Sequence, residues 1–279
     1  MGITGLWRKI IPQEFRQYIR GIRLYPQIMF KYKGKSEYAQ ELEYVQKNKV
    51  KFKKGEVRGI EFCGDFMDEA MKQDTPAYFD TDKQMYYVID QGKRLYFKKG
   101  LSESQVKNGY RGLLGEQCEK SPHKYVDDDF FVEQDSVLFD IGAAEAIFAL
   151  QNIEKCKKVV LFECDDSWIE ALNATFEPYM EKVEIVRKYV SNITDADNIK
   201  IDDYTQASGN IPNFIKMDIE GFEQKCLDGM EKTLHGTASL KLAICAYHSK
   251  NAEMEIRNKL SAVNCGITRS GGWMLWTME

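Results

Sequence analysis

The sequence predicts an α/β fold: an open, mostly parallel sheet wrapped by helices in its C-terminal half, preceded by an α+β extension. Three observations predict it. Short apolar runs recur at 136–140, 158–163, 183–187, 213–218 and 240–247, and continuous apolar runs read as buried parallel strands. Helical stretches at 144–154, 166–177 and 221–234 separate most of them, which is the alternation of a βαβ chain. Two of the runs, Val137–Phe139 and Val159–Phe162, end in the acids Asp140 and Glu163, with a small-residue turn, Gly142-Ala143-Ala144, between them.

Upstream, Pro12–Ile22 reads as a short amphipathic helix, and Ser36–Lys47 as another. In the second, Tyr38, Leu42 and Val45 recur at helical spacing behind a Ser36 cap. Gly59–Phe62 reads as a strand. Gln84–Ile89 and Arg94–Phe97 flank the Gly-bearing turn Asp90-Gln91-Gly92-Lys93, the pattern of a β-hairpin. Ser102–Leu114 reads as a helix, and 121–135 as a connector into the sheet. After the fifth strand, 252–263 is a helix with Met254, Ile256, Leu260 and Val263 inward. Trp273–Trp276 then reads as a short strand. The expected division is an extension over 1–120 and a ligand-binding domain over 121–279.

The composition bounds the function. Of 279 residues, 43% are hydrophobic and 29% charged, which supports a packed core. A net charge of −4 gives no electrostatic reason for a nucleic-acid or anionic-membrane partner. No long apolar run or leader pattern occurs, so no membrane span is expected. Seven cysteines without a CxxC pair and three histidines argue against a structural zinc site, and suit reduced thiols in a cytoplasm.

Gly142 lets backbone approach a ligand without a Cβ in the way. Glu163, at the end of the next strand, is placed to accept hydrogen bonds from ribose hydroxyls. The turn itself reads Gly-Ala-Ala-Glu-Ala, too poor in glycine for a pyrophosphate, and Glu145 would repel one. S-adenosylmethionine carries a sulfonium and no phosphate, so the acids favour it over NAD. The second constellation is Lys216-Met-Asp218-Ile-Glu220-Gly-Phe-Glu223. Lys216 and Asp218 share a strand face at the carboxyl edge, where open α/β sheets bind ligands. A capped helix start accounts for Glu223 but not for that Lys–Asp pair.

These segments resemble the FkbM family of S-adenosylmethionine-dependent methyltransferases. The likeness rests on Phe139–Glu145, Phe162-Glu163, Ile215–Glu223 with Leu227 and Gly229, and Ala246-Tyr247-His248. Gly92–Phe97 and Ser121–Tyr125 are similar to segments preceding the core in bacterial members from surface-glycan gene sets. The resemblance implies a class I methyltransferase, Rossmann-like fold: seven strands, mostly parallel, the last antiparallel. It implies that Asp140, Gly142 and Ala143 border the methionine part of S-adenosylmethionine, with Ala144 a further cofactor contact. Glu163 would hold the ribose, and Ser191 would sit near the adenine. Ala146 stands where the family usually has glycine, so its methyl is expected to crowd the cofactor.

For catalysis, His248 is the first candidate base, since an imidazole titrates near neutrality. Asp218 would orient it, orient the acceptor or ligate a divalent metal, and Lys216 would hold Asp218 ionised. His123, Tyr125, Arg111 and Glu220 are candidate acceptor contacts, with His123 as a lid. Tyr110 is a further candidate sugar contact. The expectation is a cytoplasmic enzyme that methylates a sugar hydroxyl of a glycan or its precursor, its extension contacting the acceptor or a second copy. The alternatives are a non-catalytic binding module on the same fold and an NAD-dependent enzyme.

Overall fold

The computed structural model describes residues 13–54, 64–237, 239–248 and 251–261. They divide into two compact units. The first comprises 13–54, 64–72 and 115–124, and the second the described residues of 73–114 and 125–261.

The first unit is helical: α1 (Gln13–Lys31), a 3₁₀ turn (Ser36–Tyr38), α2 (Ala39–Lys47), α3 (Lys49–Lys54) and α4 (Asp65–Ala70). Leu24 and Ile28 of α1, with Tyr32 just past its end, fall four apart on one stripe and are buried with Tyr44 and Val45 of α2. That stripe carries α1 well past the expected end at Ile22. The strand expected at Gly59–Phe62 lies outside the described residues.

The second unit opens with an antiparallel sheet, β1 (Ala77–Asp80), β2 (Met85–Asp90) and β3 (Lys93–Tyr96). Gln91 and Gly92 both take positive φ, 46° and 81°, as a two-residue hairpin turn of matching twist requires. Helix α5 (Glu103–Glu116) follows; its last two residues count with the first unit.

The main sheet is built from β4 (Ser136–Ile141), β5 (Cys156–Phe162) and β6 (Val183–Val186). A side ladder of β7 (Tyr189–Val190) and β8 (Asn198–Ile199) precedes β9 (Phe214–Met217) and β10 (Lys241–Ile244). The five main strands run parallel in the order β10-β9-β4-β5-β6. Counted along this sheet alone, that is 3-2-1-4-5, the doubly wound order with its switch point between β4 and β9. Between the strands lie α6 (Ile147–Asn152), α7 (Asp166–Phe176), α8 (Ile201–Ser208), α9 (Glu223–Asp228) and α10 (Glu231–Gly236), with α11 (Ala252–Ser261) after the last. Side chains of successive strand residues go to opposite faces. Leu138, Val159, Leu161 and Phe214 join Ile147, Phe148, Leu172 and Phe176 on one side. Phe139, Val160, Phe162 and Met217 join Tyr204, Leu227, Met230 and Ile256 on the other.

Two expected helices differ in extent. The stretch 144–154 becomes helical only at Ile147, because Ala144 and Ala146 are left-handed (φ 47° and 57°). The stretch 221–234 is two helices broken at Gly229, whose backbone lies against the Ser191 carbonyl: an added Cβ would stand 2.1 Å from that oxygen. The strand expected at Trp273–Trp276 lies outside the described residues. Among the described residues, no helix is long and apolar enough to cross a membrane.

Candidate active site

The carboxyl ends of β4, β5, β9 and β10 gather the chemistry in the second unit. Parallel pairing sets Asp140 of β4 directly beside Lys216 of β9. Lys216 Nζ lies 2.9 Å from Asp140 Oδ1, and both side chains are almost wholly buried. The ammonium also donates to the Gly142 carbonyl at 2.6 Å and stands over the Tyr125 ring. Burial disfavours its charge, but the Asp140 and Asp218 carboxylates outweigh that and hold its pKa above the usual lysine value. Lys216 was expected to serve Asp218; its direct ion pair is with Asp140, which the register places beside it, and Asp218 acts on it through charge. Asp140 Oδ2 is buried without a hydrogen-bond partner among the described residues. Such an atom is costly unless something fills its valence.

Gly142 (φ 77°) follows β4. A Cβ there would stand 2.0 Å from the Asp218 carbonyl oxygen, so only glycine fits. The turn is fastened to β5, with Gly142 and Ala143 donating N–H to the Phe162 carbonyl at 3.0 and 3.2 Å. Glu163 completes the fastening. Its Oε2 accepts from Ala144 N and its Oε1 from Asp165 N, both at 2.7 Å. The predicted ribose acid therefore also braces the glycine turn. Ala146 is 1% exposed and belongs to the core cluster. Its departure from glycine also falls on its own left-handed backbone.

Asp218 and His248 meet across β9 and β10: His248 Nε2 lies 3.3 Å from Asp218 Oδ1. Tyr125 Oη donates to Asp218 Oδ2 at 2.9 Å, so the tyrosine expected at the acceptor braces this carboxylate. On the other side of the imidazole, Nδ1 lies 2.6 Å from Glu223 Oε1, a buried carboxylate. Burial lowers the His248 pKa, but the hydrogen bond and charge of Glu223, with the charges of Asp218 and Glu220, outweigh it and raise the pKa above the ordinary value. Burial acts to raise the Glu223 pKa, yet His248 and backbone donors hold it below its ordinary value.

The remaining candidates have neighbours of their own. Ser191 is buried beside β7 and takes local partners: its hydroxyl donates to the Ile193 carbonyl and accepts from Ile193 N. Glu220 is exposed and left-handed (φ 49°). Arg111 donates Nε–H to the Gln73 carbonyl. Tyr110 is a core residue whose hydroxyl donates to Asp90, burial being the first reason its pKa is raised. His123 belongs to the first unit, where its amide donates to Ser121 Oγ and its ring meets Gln117. Glu223 is what the sequence reading missed as a site residue. Its helix-start position gave a sufficient local reason for an acid, and its partner lies 25 positions away.

The geometry so far defines a doubly wound α/β protein with a small-residue turn and an acid–imidazole group at one sheet edge. Residues 142–260 match the family model described as the Methyltransferase FkbM domain. Over that stretch the chain is similar to the FkbM methyltransferase family. No curated protein matches it significantly. Among solved structures it is similar to Methyltransferase FkbM from Methylobacillus flagellatus, at 17% identity and TM-score 0.43, over 80% of this chain and 56% of that one. It is similar to precorrin-6y C5,15-methyltransferase from Geobacter metallireducens, at 12% identity and TM-score 0.34, over 47% and 63%. It is also similar to the fibrillarin pre-rRNA processing protein of Methanococcus jannaschii, at 13% and 0.39, over 68% and 88%. The chain thus spans less than two thirds of the first two proteins.

Proposed function

We propose that the protein transfers a methyl group from S-adenosylmethionine to a hydroxyl of a sugar in a bacterial surface glycan or glycan precursor. The observation that carries the reading is the Asp218–His248 pair, set beside a glycine turn that only a glycine can make. The residues fit the donor. The partnerless Asp140 Oδ2 suits an ammonium donor such as that of a methionine moiety. The acids around the turn suit a cation and oppose a phosphate. Gly142, Ala143 and Ala144 would line the methionine end, with Glu163 at the ribose.

Bound S-adenosylmethionine supplies an electrophilic methyl on a sulfonium. The chain's part is to align the acceptor hydroxyl with that methyl and to take its proton. His248 Nε2 would take the proton that the acceptor hydroxyl loses on gaining the methyl group that bound S-adenosylmethionine would supply. Asp218, steadied by Tyr125, orients the acceptor and accepts its hydrogen bond. The Asp218 oxygens already face Tyr125 and His248. No residue role in this reading passes through a divalent ion: turnover should survive excess chelator, and its loss would give Asp218 a metal role. The glycan acceptor rests on the likeness of 92–97 and 121–125 to glycan-locus relatives. Incubation with methyl-labelled S-adenosylmethionine and the host's glycan extract tests it by mass spectrometry: a labelled sugar supports it, and label on lipid or protein alone contradicts it.

A further inference from the structure

We infer that Glu223 is the positioning residue of this site: it fixes which ring nitrogen of His248 carries the proton and which faces the acceptor. The kinetic arm of this inference rests on the methyltransferase reading, but its spectroscopic arm does not.

Four observations converge. Glu223 Oε1 lies 2.6 Å from His248 Nδ1, and the carboxylate side chain is only 3% exposed. The same oxygen accepts from the backbone amides of Ile219 and Gly221, at 3.4 and 3.3 Å. Those amides are aimed by a strained turn: Glu220 is left-handed at φ 49° without being glycine, and Gly221 follows at φ 99°. A non-glycine residue in that region is strained, and the surrounding structure must sustain it. Finally, the parallel pairing of β9 and β10 matches Met217 with Ile244, and Cys245 N donates to the Met217 carbonyl. Asp218 and His248 therefore leave the sheet at one edge, and Glu223 receives the imidazole there.

The chemistry follows from a carboxylate on Nδ1. It makes Nδ1–H the favoured neutral tautomer and leaves the Nε2 lone pair toward Asp218 and the acceptor. It also stabilises the imidazolium formed when Nε2 takes a proton. The charged groups facing the ring are Glu223 from α9 and Asp218 and Glu220 from the segment before it, with the neutral Tyr125 hydroxyl bonded to Asp218. Tyr247 packs its ring 4.3 Å from the imidazole. The Glu223 carboxylate is the partner of Nδ1.

The test is Glu223→Gln, which keeps the shape and removes the charge. The readout is ¹⁵N NMR titration of His248, identified by the signal lost in His248→Gln. The wild type should show an Nδ1–H neutral tautomer. In Glu223→Gln the titration midpoint should move acidward, while circular dichroism stays unchanged. In the transfer assay kcat should fall at least tenfold with the acceptor KM nearly constant. An unchanged midpoint and tautomer in Glu223→Gln would overturn the inference, as would an activity loss without a titration shift. If the variant does not fold, an Nε2–H neutral tautomer in the wild type overturns the inference and an Nδ1–H one upholds it. A shifted titration in a protein that transfers no methyl group would uphold Glu223 and sink the functional reading.

Discussion

Ala146 and Lys216 carry opposite kinds of local cost. Ala146 holds a left-handed backbone at the start of α6 with its methyl in the core. Ala146→Gly relieves that strain and adds some unfolded-state entropy, for a net gain of about 0.5–1 kcal/mol. A urea midpoint that rises without a change in slope would bear this out, and an unchanged or lower midpoint would refute it. Lys216 is the counter-charge of a buried carboxylate. Lys216→Met strands Asp140 and should cost about 3–5 kcal/mol. The double variant Lys216→Met with Asp140→Asn should recover most of that loss, since no unpaired charge remains. If the double is no more stable than the single variant, the ion pair does not bear the load assigned to it.

At the scale of elements, the turn between β4 and α6 is rigid because three fastenings meet on it: the Phe162 carbonyl, Glu163 and Lys216. Two of these come from β5 and its end, the third from β9, so the turn is held by both neighbours of the central strand. Much of this was legible in the sequence. The five parallel strands are continuous apolar runs, and buried strands leave that mark directly. The Asp–Gly turn and the following acid stood at recognisable spacing. β1 was not legible, since Ala77-Tyr-Phe-Asp80 is four residues long and takes its identity from pairing with β2. Helix α8 offers only Ile201 and Tyr204 as buried anchors, too few for periodicity to register. The partners of Lys216 and Glu223 are tertiary facts. Register chose Asp140 for the lysine, and strand adjacency brought His248 to the glutamate.

For the whole molecule, the Asp218–His248–Glu223 group couples chemistry and folding to pH. The folded-state His248 pKa is raised, so its contribution to stability is complete below about 6.5 and is lost as pH rises through the raised value. The folded-state Glu223 pKa is lowered, so its contribution is complete above about 4.5 and is lost as pH falls through the lowered value. Urea unfolding from pH 4 to 9 should show a decline on the alkaline side that disappears in His248→Gln; a decline that persists there assigns it to another group. Activity should do the reverse, rising with pH through the same raised value, because only the neutral imidazole accepts a proton.

The central claim, that the glycine turn at the sheet edge holds S-adenosylmethionine for methyl transfer, is tested most directly by calorimetric titration of the full chain with S-adenosylmethionine, S-adenosylhomocysteine and NAD. Saturable one-to-one heat is predicted for the first two, abolished in Gly142→Val, with none for NAD. Saturable binding of NAD, or no binding of either sulfur compound to the folded wild type, would contradict it.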